Sequence, residues 1–188
     1  MTIDSIVCDI KKKLSEERFS HTLGMVGTAL EMAGLYGCDK GKTELAAYLH
    51  DIGKSLSEEE QKAMLTKEGY GEDYLAHPSI IHASCSMIMA RDIYGVTDGD
   101  VLAAIESHTC GSENMSLLQK IIFLADAIEP GREYPEVEDL RKAAFTDLDK
   151  GVCMYLKAFI DWFREHGRPI YKDTLQACEY YSRPAADV

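Results

Sequence analysis

From residue 3 to about residue 181, apolar residues recur at helical spacing, and no alternating strand pattern lasts more than four residues. This one property removes every sheet architecture and predicts an all-α chain. Ile3, Ile6, Val7, Ile10 and Leu14 form a first stripe. Phe19, Leu23, Met25, Val26, Leu30 and Met32 form a second, after Ser15 as a cap and before the breakers Gly34 and Gly37. A third helix is expected from about Thr43 through ELAAYLHD, stopping near Gly53. Further helices are expected after Ser57, from Pro78, over Val101 to His108, after Ser116, over Leu140–Phe145, over Asp147–His166 and over Thr174–Tyr181, with a polar tail beyond. There is no internal repeat, low-complexity tract or linker, so the expectation is one helical bundle over residues 1–188.

The bulk numbers narrow the partners. The chain has 188 residues, enough for one domain with a real core. Its 32 acidic and 20 basic residues leave a formal charge of −12. Such a field repels nucleic acid and anionic membrane surfaces, so an anionic ligand should be small and needs a local cationic site. No apolar run approaches a membrane span, and the N-terminus lacks the features of a signal peptide. Six cysteines are scattered without a CxxC pair; they are read as free thiols of a cytoplasmic protein. Cys85 and Cys110 are read as core or pocket-lining thiols, because thiolate ligation calls for tighter Cys/His spacing.

The chemistry is carried by histidines and aspartates on apolar helices. His50 and Asp51 are adjacent at a helix end in AAYLHDIGK, and adjacent helical side chains point about 100° apart. They converge only on something beyond the helix terminus, and a divalent cation suits both donors. The pair alone reads more readily as an imidazole on a helix C-terminal dipole. Asp126 is the only charge in IIFLADAI, costly to bury unless it is paired or coordinating, although its spacing also allows it to face solvent. His21 shares a face with Met25, Thr28 and Met32, where a lone histidine is usually a satisfied core residue. His82 and His108 lie on two further apolar stripes, and a bundle can project such groups into one pocket.

The order Arg18-x-x-His21, His50-Asp51, Asp126 resembles the signature of the HD-domain metal phosphohydrolases. RxxHTLGM, LHDIGK, IHA, AIESHTCG and, most specifically, LADAIEPGR are similar to the YqeK-type symmetrical diadenosine tetraphosphatases across nearly the whole chain. The chain departs from that pattern at Lys172, where the family commonly has a proline before the Asp-Thr pair.

The resemblance implies an HD-type bundle with a metal core over about residues 18–130 and iron held by His21, His50, Asp51 and Asp126. One ion is expected and two are conceivable, with manganese or another divalent transition metal as alternatives. It implies cleavage of diadenosine tetraphosphate to two ADP by a cation-activated water. Asp51, Lys54, His82 and His108 are the expected catalytic residues. Phosphate contact comes first for His82 and His108, ahead of leaving-group protonation or a second metal shared with Asp51. Gly24, Asp51, Lys54, His82, His108, Thr109, Asp126, Arg132, Ile170, Tyr171 and Thr174 are the expected substrate contacts, Arg132 through a bidentate fork. From sequence alone Lys54 reads equally as a solvated lysine, and Arg132 more readily as an ordinary surface arginine. The aromatic stripe Tyr155, Phe159, Trp162 and Phe163 packs the core or a homodimer face. Three other readings stay open: a phosphohydrolase acting on other nucleotides or alarmones, a nucleotide-binding regulatory module without turnover, and a purely structural metal with a closed shell.

Overall fold

The centre of the protein is a helix buried on nearly all sides. In the computed structural model, which describes residues 1–183, Leu117–Ile128 (α8) buries Ile121, Ile122, Phe123, Leu124 and Ala125, each at most 1 % exposed. Ser116 starts it with a capping box closed by Gln119, which satisfies two of the amide donors a helix N-terminus leaves open. Around it pack Glu16–Tyr36 (α2), Lys40–Leu49 (α3), Gly99–Ser107 (α7), Val137–Ala144 (α9) and Leu148–Glu165 (α10). Ile3–Lys13 (α1) lies against α2 and α3, and Lys172–Ser182 (α11) against α10.

A smaller layer covers one flank. Glu58–Lys67 (α4), Glu72–Leu75 (α5) and Ile81–Asp92 (α6) enclose a satellite core of Leu65, Ile81, Cys85 and Ile88. No strand occurs among the described residues, and none of the described helices is long and apolar enough to cross a membrane. All six cysteines are free. The polar tail expected after Tyr181 falls, from residue 184 onward, outside the described residues, as does that end of the expected 1–188 domain.

Several boundaries differ from expectation for local reasons. Helix α2 runs through Gly34 and ends only at Gly37, which takes the left-handed conformation (φ 73°) that a helix stop favours. Helix α3 starts early because the Asp39 carboxylate accepts the Lys42 amide. It ends at Leu49, four residues before Gly53. Asp51 leaves the helix (φ −108°, ψ 7°), and Ile52–Ser55 forms a 3₁₀ turn. Gly53 is needed there for space: a Cβ would collide with the His82 carbonyl oxygen and lie 2.9 Å from the Ser86 amide nitrogen. The Gly53 amide donates to Ser86 Oγ at 2.8 Å, locking the turn onto α6. Pro78 sits in the turn ahead of α6, which begins at Ile81, and α9 begins three residues before the expected Leu140. The single-turn helix α5 was not expected.

The close approach at Gly53 sets the distance between the His-Asp loop and α6. Gly53→Ala should therefore destabilise the fold by about 3 kcal/mol, the upper range for forcing atoms into a filled interior. Chemical denaturation of the purified variant checks this.

Candidate metal centre and adjoining cleft

Five helices place six donor side chains around one point. His21 projects from the second turn of α2. His50 and His108 occupy the C-terminal caps of α3 and α7, and Asp51 follows His50. His82 comes from the first turn of α6 and Asp126 from the last turn of α8. The two cap histidines use the open carbonyls that helix C-termini leave: His50 Nδ1–H donates to the Ala47 carbonyl (2.8 Å) and His108 Nδ1–H to the Ile105 carbonyl (2.7 Å). With Nδ1 carrying the proton, each neutral ring has a bare lone pair on Nε2.

Those lone pairs converge. Asp51 Oδ1 lies 3.3 Å from His82 Nε2 and 3.5 Å from His108 Nε2; Asp51 Oδ2 lies 3.6 Å from His50 Nε2 and 4.0 Å from His21 Nε2. His21 Nε2 also approaches Asp126 Oδ1 to 3.0 Å. Adjacent ring centroids along the series His21, His50, His108, His82 are 5.5, 4.9 and 5.3 Å apart. His21 Nε2, His50 Nε2, Asp51 Oδ1, His82 Nε2 and His108 Nε2 are all buried without a hydrogen-bond partner.

Buried polar atoms are almost always paired, and each orphan costs about 1–3 kcal/mol. Five around one point fit a divalent cation, for which imidazole nitrogen and carboxylate oxygen are good ligands. Two overlapping triads have cation-holding spacing: His21, His50 and Asp126, and His50, Asp51 and His108. The donor set thus fits a metal.

The protonation states agree. Burial pushes the His50 and His82 imidazoles down to about 4, so both are neutral near pH 7. Burial opposes ionisation of Asp51, but His50, His108, His82 and Lys54 outweigh it and hold the carboxyl well below the ordinary carboxylate range. For Asp126 burial is likewise outweighed, by His21, His50 and Arg132.

A cleft of about 830 Å³ opens beside the cluster, lined by His21, Asp51, Gly24 and the cations Arg18, Lys54 and Arg132. A second opening of about 320 Å³ shares Arg18 and Lys54 and reaches His82. In a chain of charge −12 these cations offer an anionic ligand a local contact, although Glu17, Asp51 and Glu129 line the same cleft and Lys54 and Arg132 are paired with Asp51 and Asp126. Lys54 Nζ donates to Asp51 Oδ2 at 2.7 Å. Arg132 grips Asp126 twice, through Nε to its carbonyl (2.8 Å) and Nη2 to Oδ1 (2.5 Å).

Other expected contacts lie elsewhere. The Thr109 hydroxyl is buried without a partner and lines neither opening. Tyr171 packs against Tyr74 and His77 (5.2 and 5.3 Å) and lines a separate cavity of about 350 Å³. Thr174 is buried and Ile170 half-buried, and neither lines the cleft. Of the aromatic stripe, Tyr155 packs on Phe123 and Phe159 stacks on Phe163, while Trp162 remains 44 % exposed.

Two functional residues carry no clear signal in the sequence. Arg18 reads only as part of the RxxH motif, yet it lines both openings. Glu129 accepts the His21 Nδ1–H (3.1 Å) and the Gly131 amide (2.7 Å) with its two carboxylate oxygens. Its position in EPGR reads as a helix stop, which hides a buried acid.

The HD domain family model matches residues 18–131. A symmetrical bis(5′-nucleosyl)-tetraphosphatase of Halalkalibacterium halodurans is 42 % identical over 167 residues, covering 88 % of this chain and 89 % of that protein. One of the same name from Bacillus subtilis is 37 % identical, covering 91 % and 92 %. A crystal structure from Clostridium acetobutylicum, described as a predicted HD superfamily hydrolase involved in NAD metabolism, superposes with a TM-score of 0.93. It is 39 % identical and covers 96 % of this chain and 97 % of that one.

If the orphaned atoms form a cation site, ligand binding must stabilise the fold. Metal-stripped protein given a divalent transition ion at about 100 times its dissociation constant should gain about 2.7 kcal/mol. His50→Ala should abolish that gain, as read by thermal denaturation with and without the ion.

Proposed function

This chain belongs to the HD-domain family, within its group of symmetrical bis(5′-nucleosyl)-tetraphosphatases, and from that premise we propose that it hydrolyses diadenosine tetraphosphate to two ADP. The cofactor is one iron ion held by His21, His50, Asp51 and Asp126, a mixed imidazole and carboxylate set that also suits manganese. The observation that carries this reading is the group of five buried, unpartnered donor atoms beside a cleft that holds three cations. The chain's own charge argues against nucleic acid or membrane partners and requires an anionic substrate to be small and met by local cations, and we place the protein in the cytoplasm.

When bound, the cation supplies Lewis acidity and a water ionised near neutral pH. The chain's residues do the rest. Asp51 and Asp126 stay ionised and His50 stays neutral, so these three donors need not lose protons before binding. Burial opposes protonation of the His21 imidazole, but Asp126 and Glu129 outweigh it and hold the ring above its ordinary value, so His21 gives up a proton when the cation binds. Lys54 and Arg18 face both openings and neutralise the polyphosphate across the central linkage. Arg132 fixes the Asp126 carboxylate and presents its guanidinium edge to the cleft. Water adds to one central phosphorus, the bridging oxygen leaves with the other half, and one water yields two ADP. His82, at the second opening, meets a phosphate oxygen of the departing half. Gly24 lines the cleft wall; Thr109, Ile170, Tyr171 and Thr174 contact the nucleoside only after local rearrangement.

One observation favours a second ion over phosphate contact at His108. Its Nδ1 proton is committed to Ile105, which leaves only Nε2 open, and Nε2 faces the Asp51 carboxylate at 3.5 Å rather than either opening. With Asp51 Oδ1 and His82 it makes a second donor group, and metal analysis reading two ions per chain rather than one decides between them.

Incubation of the metal-loaded protein with diadenosine tetraphosphate should yield ADP alone. AMP with ATP, or no turnover beside hydrolysis of simple nucleotides or alarmones, contradicts the proposal. Arg18→Ala removes a cation with no ligand contact, so KM should rise about tenfold while metal content stays unchanged.

A further inference from the structure

We propose that Glu129 is the positioning residue that commits His21 to metal binding; this rests on the cation site above. His50 and His108 have their tautomers fixed by carbonyls of their own helices, but His21 lies within α2, where the backbone carbonyls are engaged in the helix. Its Nδ1 is instead served from 108 residues away by Glu129 Oε1, at 3.1 Å. A carboxylate accepts only from a protonated Nδ1, so the pair reserves Nε2, which faces Asp126 Oδ1 at 3.0 Å and Asp51 Oδ2 at 4.0 Å, as the nitrogen a cation would take. An acid behind a ligating imidazole also raises its basicity and fixes its ring plane.

The acid is held there by construction. Glu129 is 5 % exposed, and its second oxygen accepts the Gly131 amide. Arg141 clamps the chain from behind, donating from Nη2 to the carbonyls of Glu129 (2.9 Å) and Arg132 (3.1 Å) and from Nε to that of Ile128 (2.9 Å). Two glycines make the room. A Cβ on Gly24 would lie 2.6 Å from Glu129 Oε2, and one on Gly131 3.0 Å from Oε1. Gly24 lies three residues from His21, so the α2 segment that presents the imidazole also accommodates the carboxylate behind it. A carboxylate that only capped the turn would need the Gly131 contact alone.

The test is titration of metal-stripped protein with Mn²⁺, read as a dissociation constant, with circular dichroism and metal-free melting as fold controls. Glu129→Gln cannot accept from both His21 and Gly131, and binding should weaken by about 10- to 100-fold. Gly24→Ala, which drives the carboxylate away from outside, should weaken binding similarly. The double variant should be no weaker than the worse single one, because both remove the same contact. Wild-type affinity in a folded Glu129→Gln protein overturns the inference. If that variant fails to fold, wild-type affinity in Gly24→Ala overturns it instead. A wild-type protein that binds no Mn²⁺ refutes the cation site itself, and the inference with it.

Discussion

Everything in this fold answers to one electrostatic problem: a carboxylate and four imidazoles are enclosed by helices with too few partners among themselves. Burial alone would neutralise Asp51, yet the surrounding imidazoles and the Lys54 ammonium hold it ionised, and the same burial keeps the His50 and His82 rings neutral. An ionised acid among neutral bases is a poor arrangement of hydrogen bonds. It is a good arrangement of ligands. The cost of excluding water from these groups is offset once a cation accepts their lone pairs.

Helix termini are the means by which a bundle builds such a point. His50 and His108 sit where α3 and α7 run out of internal hydrogen bonds, and the free carbonyls there orient both rings. Asp51 leaves the helix immediately afterwards, so its carboxylate can meet His82 arriving from α6. That meeting needs the 3₁₀ turn pressed against α6, which is why position 53 has no side chain. The central helix α8 supplies the apolar body of the fold and, in its last turn, the second acid.

The sequence made much of this legible. Helical periodicity was visible at every step, because each amphipathic stripe is a local property of the chain. His21, His50, Asp51 and Asp126 stood out as polar groups in apolar surroundings, and the structure brings all four within reach of one another. What stayed hidden depends on contacts between distant segments. Gly53 looks like a helix stop until α6 is laid across it. Glu129 looks like the ordinary polar end of α8, because its partner His21 is 108 residues away. Arg18 precedes the first histidine by three residues, but only the docked His-Asp loop places it beside Lys54 in both openings. Tyr171 and Thr174, expected at the substrate, fall around a different cavity, since the turn between α10 and α11 carries Tyr171 onto Tyr74 and His77.

Crystals of the protein grown with iron, measured on both sides of the iron absorption edge, address the centre of this account most directly. The account predicts an anomalous peak within coordination distance of the Nε2 atoms of residues 21 and 50, with oxygens of residues 51 and 126 completing the shell. Electron density showing only water among these atoms, with the anomalous signal elsewhere or absent, would contradict it.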